Sequence, residues 1–557
     1  MNPPTFSRLK IRDLRKHLLK RCFAIPKLQR SFVWDAGRAA KLLDSMYQGM
    51  PIGSLFLWEI DRKSANLIRT AADVLPTFDH ANKHIWFVID GQQRLSVIHQ
   101  AFEGASKQND AGRHIQFDRL CFVVQPEAET ESPQRIVYRK PLNREFVSLK
   151  DILSADWKQH FSNYPQSLVR RLRDCRDRLL NYPLPIITVQ GATLEDVGEI
   201  FIRLNSQGMR VTSADRAIAL MGNLDVRQMA EEVRRSVRDS GFGLDSVDPI
   251  LMGFNLVAEG PDQNGDPPKL EAMARRWSKR IAQDESEKQA FARQWDKYKR
   301  AFLSAVDCVQ HKFPVHDETY LPSANMLATL TVYFYHHPGQ PPSPHLKELT
   351  KWFWATGVAQ RYSGRGYHRN IVADARFFEG LARGSLKKFT FTDYLDPVAD
   401  IQMAQYASRS ARTRAFFCLL AAHKPCYLDN GEPIQINGTS VSHANRKHRH
   451  HIFPQGQLAA HYPAQVYNGL CNVCYLVSED NLKIGMKLPR KYLTTYRAAA
   501  PKTFGRVMRS HLIPTDPGSG IWDAGITTAF KKFRKRRLAL ICTAFENEAG
   551  IRLFRKS

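Results

Sequence analysis

The sequence predicts a multidomain α+β protein: an N-terminal α/β domain over 1–215, a helical connector over 216–400, and a basic, largely helical domain over 401–557. Three observations carry this. A chain of 557 residues exceeds the roughly 250–300 residues at which a single hydrophobic core stops growing. Its 43% hydrophobic and 24% charged residues match folded chains rather than disordered ones. The texture also changes along it, from strand-like runs between helical patterns, to long charged helical stretches, to a segment where 24 Lys and Arg face 8 Asp and Glu.

In the first part, Asp35 caps a helix that Gly49 closes with Pro51 just beyond, and SLFLWE follows as a strand. HIWFVI at 84–89 is a continuous apolar run, expected to be a buried strand. It runs into Asp90-Gly91, after which Leu95, Ile98 and Phe102 recur at helical spacing. The DGQQR motif therefore sits on a strand-to-helix turn. LPIITVQ at 184–190 is a further strand, followed by a helix with Leu194, Val197, Phe201 and Leu204 on one face and Gly208 as its stop. The connector reads as helices broken at EGPDQNGDPPK and at HHPGQPPSPH. The last helix carries KKFRKRR at 531–537, with Ile526, Phe530, Phe533 and Ile541 interleaved. Its basic residues Lys531, Lys532, Arg534, Lys535, Arg536 and Arg537 are candidates for contact with DNA phosphates, and a solvated basic face is the plainer alternative.

A net charge of +27 favours polyanionic partners, nucleic acid first. No apolar run approaches the roughly 18–20 residues of a membrane span, and the opening MNPPTFSRLKIRDLRKHLLK lacks the apolar core of a signal peptide. Nine scattered cysteines do not form a disulfide framework. A cytoplasmic protein is expected.

Two constellations carry chemistry. HRHHIFPQGQL at 448–458, followed by Asn472 and then Asn481, spaces imidazoles and amides as phosphodiester hydrolysis needs them: a base to activate water near neutral pH, and ligands for a divalent cation. A basic, His-bearing loop with structural Asn turns is the alternative. Cys471 and Cys474 form a C-x-x-C without a second such pair, a weak signal for zinc. In DGQQR, Asp90 and Gly91 make a helix start that phosphate oxygens can approach, Gln92 and Gln93 supply amides, and Arg94 can fork onto phosphate. An N-cap and a polar first turn would explain the same residues. Gln29 and Arg30 in IPKLQRSFVW, and Arg203 and Asn205 in FIRLNSQGMR, join this candidate site.

The HIFP segment resembles the HNH (ββα-metal) nucleases. The resemblance implies His451 as general base, Asn472 to orient it or to pin the hairpin, and His450 and Asn481 as metal ligands. The amide ligand favours Mg²⁺ or Mn²⁺. Cys471 stands where Gly is usual before the Asn, and Asn481 where many such enzymes use His. IPKLQRSFVW, DGQQRL and FIRLNSQG, in that order, resemble the ParB-like nucleotide-hydrolysing domain of modification-dependent restriction factors of the GmrSD kind, and of SspE-type phage-defence proteins. That resemblance implies NTP binding or hydrolysis at Asp90, Gly91, Gln92, Gln93, Arg94, Gln29, Arg30, Arg203 and Asn205, and restriction of foreign, modified DNA. A non-catalytic ParB-like DNA-binding regulator with a degenerate HNH half, and an RNA-directed nuclease, are the rival readings. The nucleotide, the DNA modification and any homo-oligomeric state stay open.

Overall fold

The computed structural model describes the chain apart from residues 1, 27–28, 30–31, 62–66, 69–73, 109–113, 125–133, 143–144, 207–211, 222–223, 261–268, 316, 365, 408, 435, 437–448, 476–483 and 556–557. Its contacts divide the chain into two units: residues 1–228 with 274–286, and residues 229–273 with 287–557.

The first unit is built on a five-stranded mixed sheet. Its spatial order is Thr5–Lys10, Pro183–Val189, Leu55–Asp61, His84–Asp90, Phe23–Ala24. The first and second strands pair antiparallel, the second and third parallel, the third and fourth antiparallel, and the fourth and fifth parallel. Side chains alternate across the pleat. Leu55, Leu57 and Val88 enter one core, whereas Trp58, Ile85, Phe87 and Ile89 enter another on the opposite face. A strand buried on both faces needs apolar residues at successive positions, which is why HIWFVI shows no polar alternation. The helix after Asp35 spans Ala36–Tyr47 and is capped as expected, the Asp35 carboxylate accepting from the Arg38 amide at 2.8 Å. Two additions were not foreseen. Leu120–Val123, Ile136–Tyr138 and Phe146–Ser148 make a small antiparallel sheet, and Ser106–Gln108 pairs with His114–Gln116. Each of these strands has only three or four residues, too few to show a period.

The second unit is mainly helical. Asn325–His336, apolar on almost every face, is the helix against which Asp248–Glu259, Glu287–Lys312 and Tyr367–Ala382 pack. Ser343–Val358 packs on the terminal helix Ile526–Ala549, with Trp354 against Phe545. The exception to the helical pattern that matters for function is a two-stranded hairpin. Arg449–His451 runs antiparallel to Val473–Tyr475, pairing His451 with Val473 and His450 with Cys474.

Candidate functional site

In the first unit the His84–Asp90 strand ends at Gly91 and the helix Gln92–Glu103 starts at once. Gly91 sits at φ 93°, and a Cβ there would lie 2.5 Å from Leu55 Cδ2 and 3.3 Å from the Ser54 carbonyl oxygen. Only glycine lets the turn close this tightly. The turn opens onto a cavity of about 550 Å³, within the ~300–1,000 Å³ range of small-molecule sites. Gln29, Asp90, Gly91, Gln92, Gln93 and Arg94 all line it. Of the other predicted residues, Arg203 is exposed on the helix Leu194–Ser206 and is not part of the lining, to which that helix contributes Phe201 and Leu204. Arg30, and the side chain of Asn205, lie outside the described residues.

The hydrogen bonds separate scaffold from spare capacity. Gln93 Oε1 accepts from the Val33 amide at 2.9 Å and the Trp34 amide at 3.3 Å, fixing the segment that precedes the Asp35 cap. Gln29 donates to the Ile89 carbonyl and so holds the end of the strand. Arg94 Nη2 donates to Asp90 Oδ2 at 2.7 Å and to the Ser54 carbonyl at 2.8 Å. Gln92 Oε1 and Arg94 Nε are buried without a hydrogen-bond partner among the described residues. A buried polar atom left unpaired costs roughly 1–3 kcal/mol, so a ligand that pairs with these two atoms gains what the empty turn lacks.

The cavity has a second wall that the motif search missed. Arg38, Lys41 and Ser45 from the Ala36–Tyr47 helix line it, with Trp34 before the helix and Asp215 across from it. Their spacing of three, then four, is one helix face. Alone it reads as a solvated surface, so only its place after the aromatic Q-R segment could have pointed to it. Asp215 is itself held, its Oδ1 2.6 Å from Arg227 Nη2.

In the second unit the hairpin presents His451. Its Nε2 lies 2.9 Å from Asn468 Oδ1, an acceptor, so that nitrogen carries the proton and Nδ1 keeps the lone pair. Burial pushes the His451 pKa below its ordinary value, partly opposed by the Asn468 bond. Asn468 had no signal in the sequence, because it reaches the ring through space from 17 positions away. Asn472 is fully buried. Its Oδ1 accepts from the Phe453 amide at 2.9 Å, and its Nδ2 donates to the carbonyls of Phe453 at 3.1 Å and Tyr467 at 2.9 Å. Of the two roles expected for Asn472, this geometry is the pin of the hairpin. The side chain of His450, and all of Asn481, lie outside the described residues.

The terminal helix corrects one expectation. Arg537 does not face solvent: it is 0% exposed, and its guanidinium donates to four carbonyls, those of Leu512, Cys471, Val473 and His511, at 2.8–3.1 Å. No donor geometry is left for phosphate. The physical reason is helical phase, since positions 530, 533, 537 and 541 form one stripe and Arg537 falls on the apolar side with Phe530, Phe533 and Ile541. Arg534 Nη2 donates to the Gln402 carbonyl at 2.9 Å. Lys532 and Arg536 pair with Asp523 and Asp516 at 2.9 and 3.2 Å. Lys531 and Lys535 are exposed. The thiols of Cys471 and Cys474 are buried beside Arg537, and burial pushes them up to about 11 and about 12.

Comparison with known proteins adds two findings. Residues 11–221 match the family described as GmrSD restriction endonuclease, N-terminal domain. An uncharacterized protein of Methanocaldococcus jannaschii is 23% identical over 530 residues, covering 86% of this chain and 85% of that protein.

Proposed function

We propose, from the match to a restriction-endonuclease domain, that the protein is a DNA endonuclease of a restriction system. In this reading its ParB-like first unit binds and hydrolyses a nucleoside triphosphate, and its HNH-type hairpin cleaves modified DNA. The observation that carries the reading is that every residue lining the 550 Å³ cavity lies within the matched span 11–221. The lining suits a nucleotide: cations at Arg38, Lys41 and Arg94 for phosphate, Trp34 as an apolar wall, and the unpaired Gln92 oxygen as an acceptor for an amine or hydroxyl. Arg94 is held by Asp90 in the empty turn, so phosphate must compete with a carboxylate. A ligand cation on Asp90 would ease that exchange.

At the hairpin, the Nδ1 lone pair of His451 takes the proton of the attacking water, and the lowered pKa keeps the ring neutral at pH 7. A divalent cation, Mg²⁺ or Mn²⁺, held by His450 and Asn481 supplies charge neutralisation at the scissile phosphate. Nucleotide binding in the first unit biases cleavage by preferring one of two states of the enzyme.

The test is cleavage of plasmid and base-modified phage DNA by the full chain, with and without Mg²⁺ or Mn²⁺ and with each NTP in turn. Metal-dependent cleavage that responds to a nucleotide is expected. His451→Ala should lower its rate by at least about 10²-fold. Cleavage that survives this substitution removes His451 from the chemistry. DNA binding without cleavage under every condition would favour the regulator reading.

A further inference from the structure

Beside the hairpin lies a groove of about 1000 Å³, whose walls include Gln457, Lys487, Arg490, Lys491, Thr494 and Asp523. We propose that this groove, rather than the KKFRKRR face of the terminal helix, is the cradle for the DNA phosphodiester backbone. The proposal rests on the endonuclease reading above and names the surface by which that substrate is held.

The sequence builds the groove by periodicity. Positions 487, 490, 491 and 494 follow the three–four spacing of one helix face, the helix itself spanning Pro489–Ala499. The opposite face carries Tyr492 and Leu493, both buried. Tyr492 donates its hydroxyl to the Ile452 carbonyl at 2.9 Å, one residue beyond His451. On the other wall, Gln457 of the short helix after HIFP donates to the Met486 carbonyl. Both walls are therefore tied to the segment that carries the candidate base. A strand lying in the groove is held in register with His451.

The charges agree. Lys487, Arg490 and Lys491 are exposed. Neither Arg490 nor Lys491 has a carboxylate partner among the described residues, and Asp523, the one acidic residue in the lining, is bound by Lys532 at 2.9 Å. The terminal helix offers less: Lys532 and Arg536 are in ion pairs, and Arg534 and Arg537 are committed to carbonyls. Cations with no competing partner are the ones that release counterions when phosphate binds.

The experiment measures binding of the full chain to a fluorescent DNA duplex in EDTA, so that no turnover intrudes, as a function of salt. The triple variant Lys487→Gln, Arg490→Gln, Lys491→Gln should lower the magnitude of the slope of log K against log salt by about 0.9 per lost contact, about 2.7 in all. Lys531→Gln with Lys535→Gln should change it by less than the triple. All five side chains are exposed, and an unchanged thermal unfolding profile checks that each variant is folded. An unaltered slope and affinity in the triple variant overturns the groove, even where His451→Ala abolishes cleavage and so upholds the nuclease. A slope lost in the triple variant while no condition gives cleavage upholds the groove and removes the nuclease. Tighter binding of RNA than of DNA, lost in the same variant, overturns the assignment of the strand as DNA.

Discussion

Two arginines, one in each unit, look alike in the sequence: Arg94 in DGQQR and Arg537 in KKFRKRR each sit in a polar helical stretch suited to phosphate. Their surroundings separate them. Arg94 meets one carboxylate and one carbonyl, keeps 20% of its side chain exposed, leaves Nε unpaired among the described residues, and faces a cavity. Arg537 is fully buried, and four main-chain carbonyls accept from it. The difference teaches that a guanidinium's role follows from the acceptors already converging on it. One is poised to exchange partners; the other is a strut that joins the terminal helix to the second hairpin strand at Val473 and to the His511–Leu512 turn.

The largest expected effect tests the strut. Arg537→Ala leaves four buried carbonyls unsatisfied and a void among Phe416, Phe533 and the hairpin. Removing one partner of a buried charged network costs about 3–5 kcal/mol. Denaturant unfolding should show a loss of that size in the second unit. Arg537→Lys should recover only part, because an ammonium has three donors and no fork. A loss under about 1 kcal/mol would place Arg537 with the surface residues and dissolve the contrast.

The same hub predicts acid sensitivity. His511 is fully buried, its Nε2 2.7 Å from the Cys426 carbonyl, and its pKa is pushed down to about 4, first by burial and further by Arg537, against the Cys426 bond. The sign follows from proton counting: between pH 6.5 and 4 the unfolded chain binds a proton that the folded chain refuses. Stability from this group is thus full above about pH 6.5 and falls as pH drops toward 4, by about 3 kcal/mol in all. His511→Gln keeps a donor for the carbonyl and removes the titration, so its stability should vary less across this window. Equal pH dependence in wild type and variant would exclude His511 as the source.

These positions show how far the sequence could be read. The strand, the glycine turn and the helix of DGQQR were legible, because an unbroken apolar run, a residue forced to φ 93° and helical spacing are local properties. The Asp35 cap and the pairing of the HIF segment with Asn472 were legible for the same reason. Arg537 was legible in principle, since it shares a helical phase with Phe530 and Phe533; composition drew attention to its charge instead. The Arg38–Lys41–Ser45 wall and the Asn468 bond to His451 were not legible. Each depends on distant segments meeting in space, and an ordinary solvated helix face or loop would carry the same residues.

The smallest expected effect lies at the exchangeable arginine. In the empty turn Arg94 holds Asp90 and the Ser54 carbonyl, so Arg94→Ala frees a half-exposed carboxylate that water can solvate. The stability cost should stay near 1 kcal/mol, as for partly exposed ion pairs. Nucleotide affinity should fall more, by about 1.5–3 kcal/mol, the range for hydrogen bonds to charged groups. That is roughly 10- to 150-fold in Kd for whichever NTP binds. Arg94→Lys keeps the charge but not the fork, and should lie between the two. Calorimetric titration of wild type and both variants with each nucleotide, alongside their unfolding curves, separates a ligand-facing arginine from a strut. A variant that loses several kcal/mol of stability and binds nucleotide as well as wild type would make Arg94 a second Arg537, and would leave the cavity's other cations, Arg38 and Lys41, as the groups that meet phosphate.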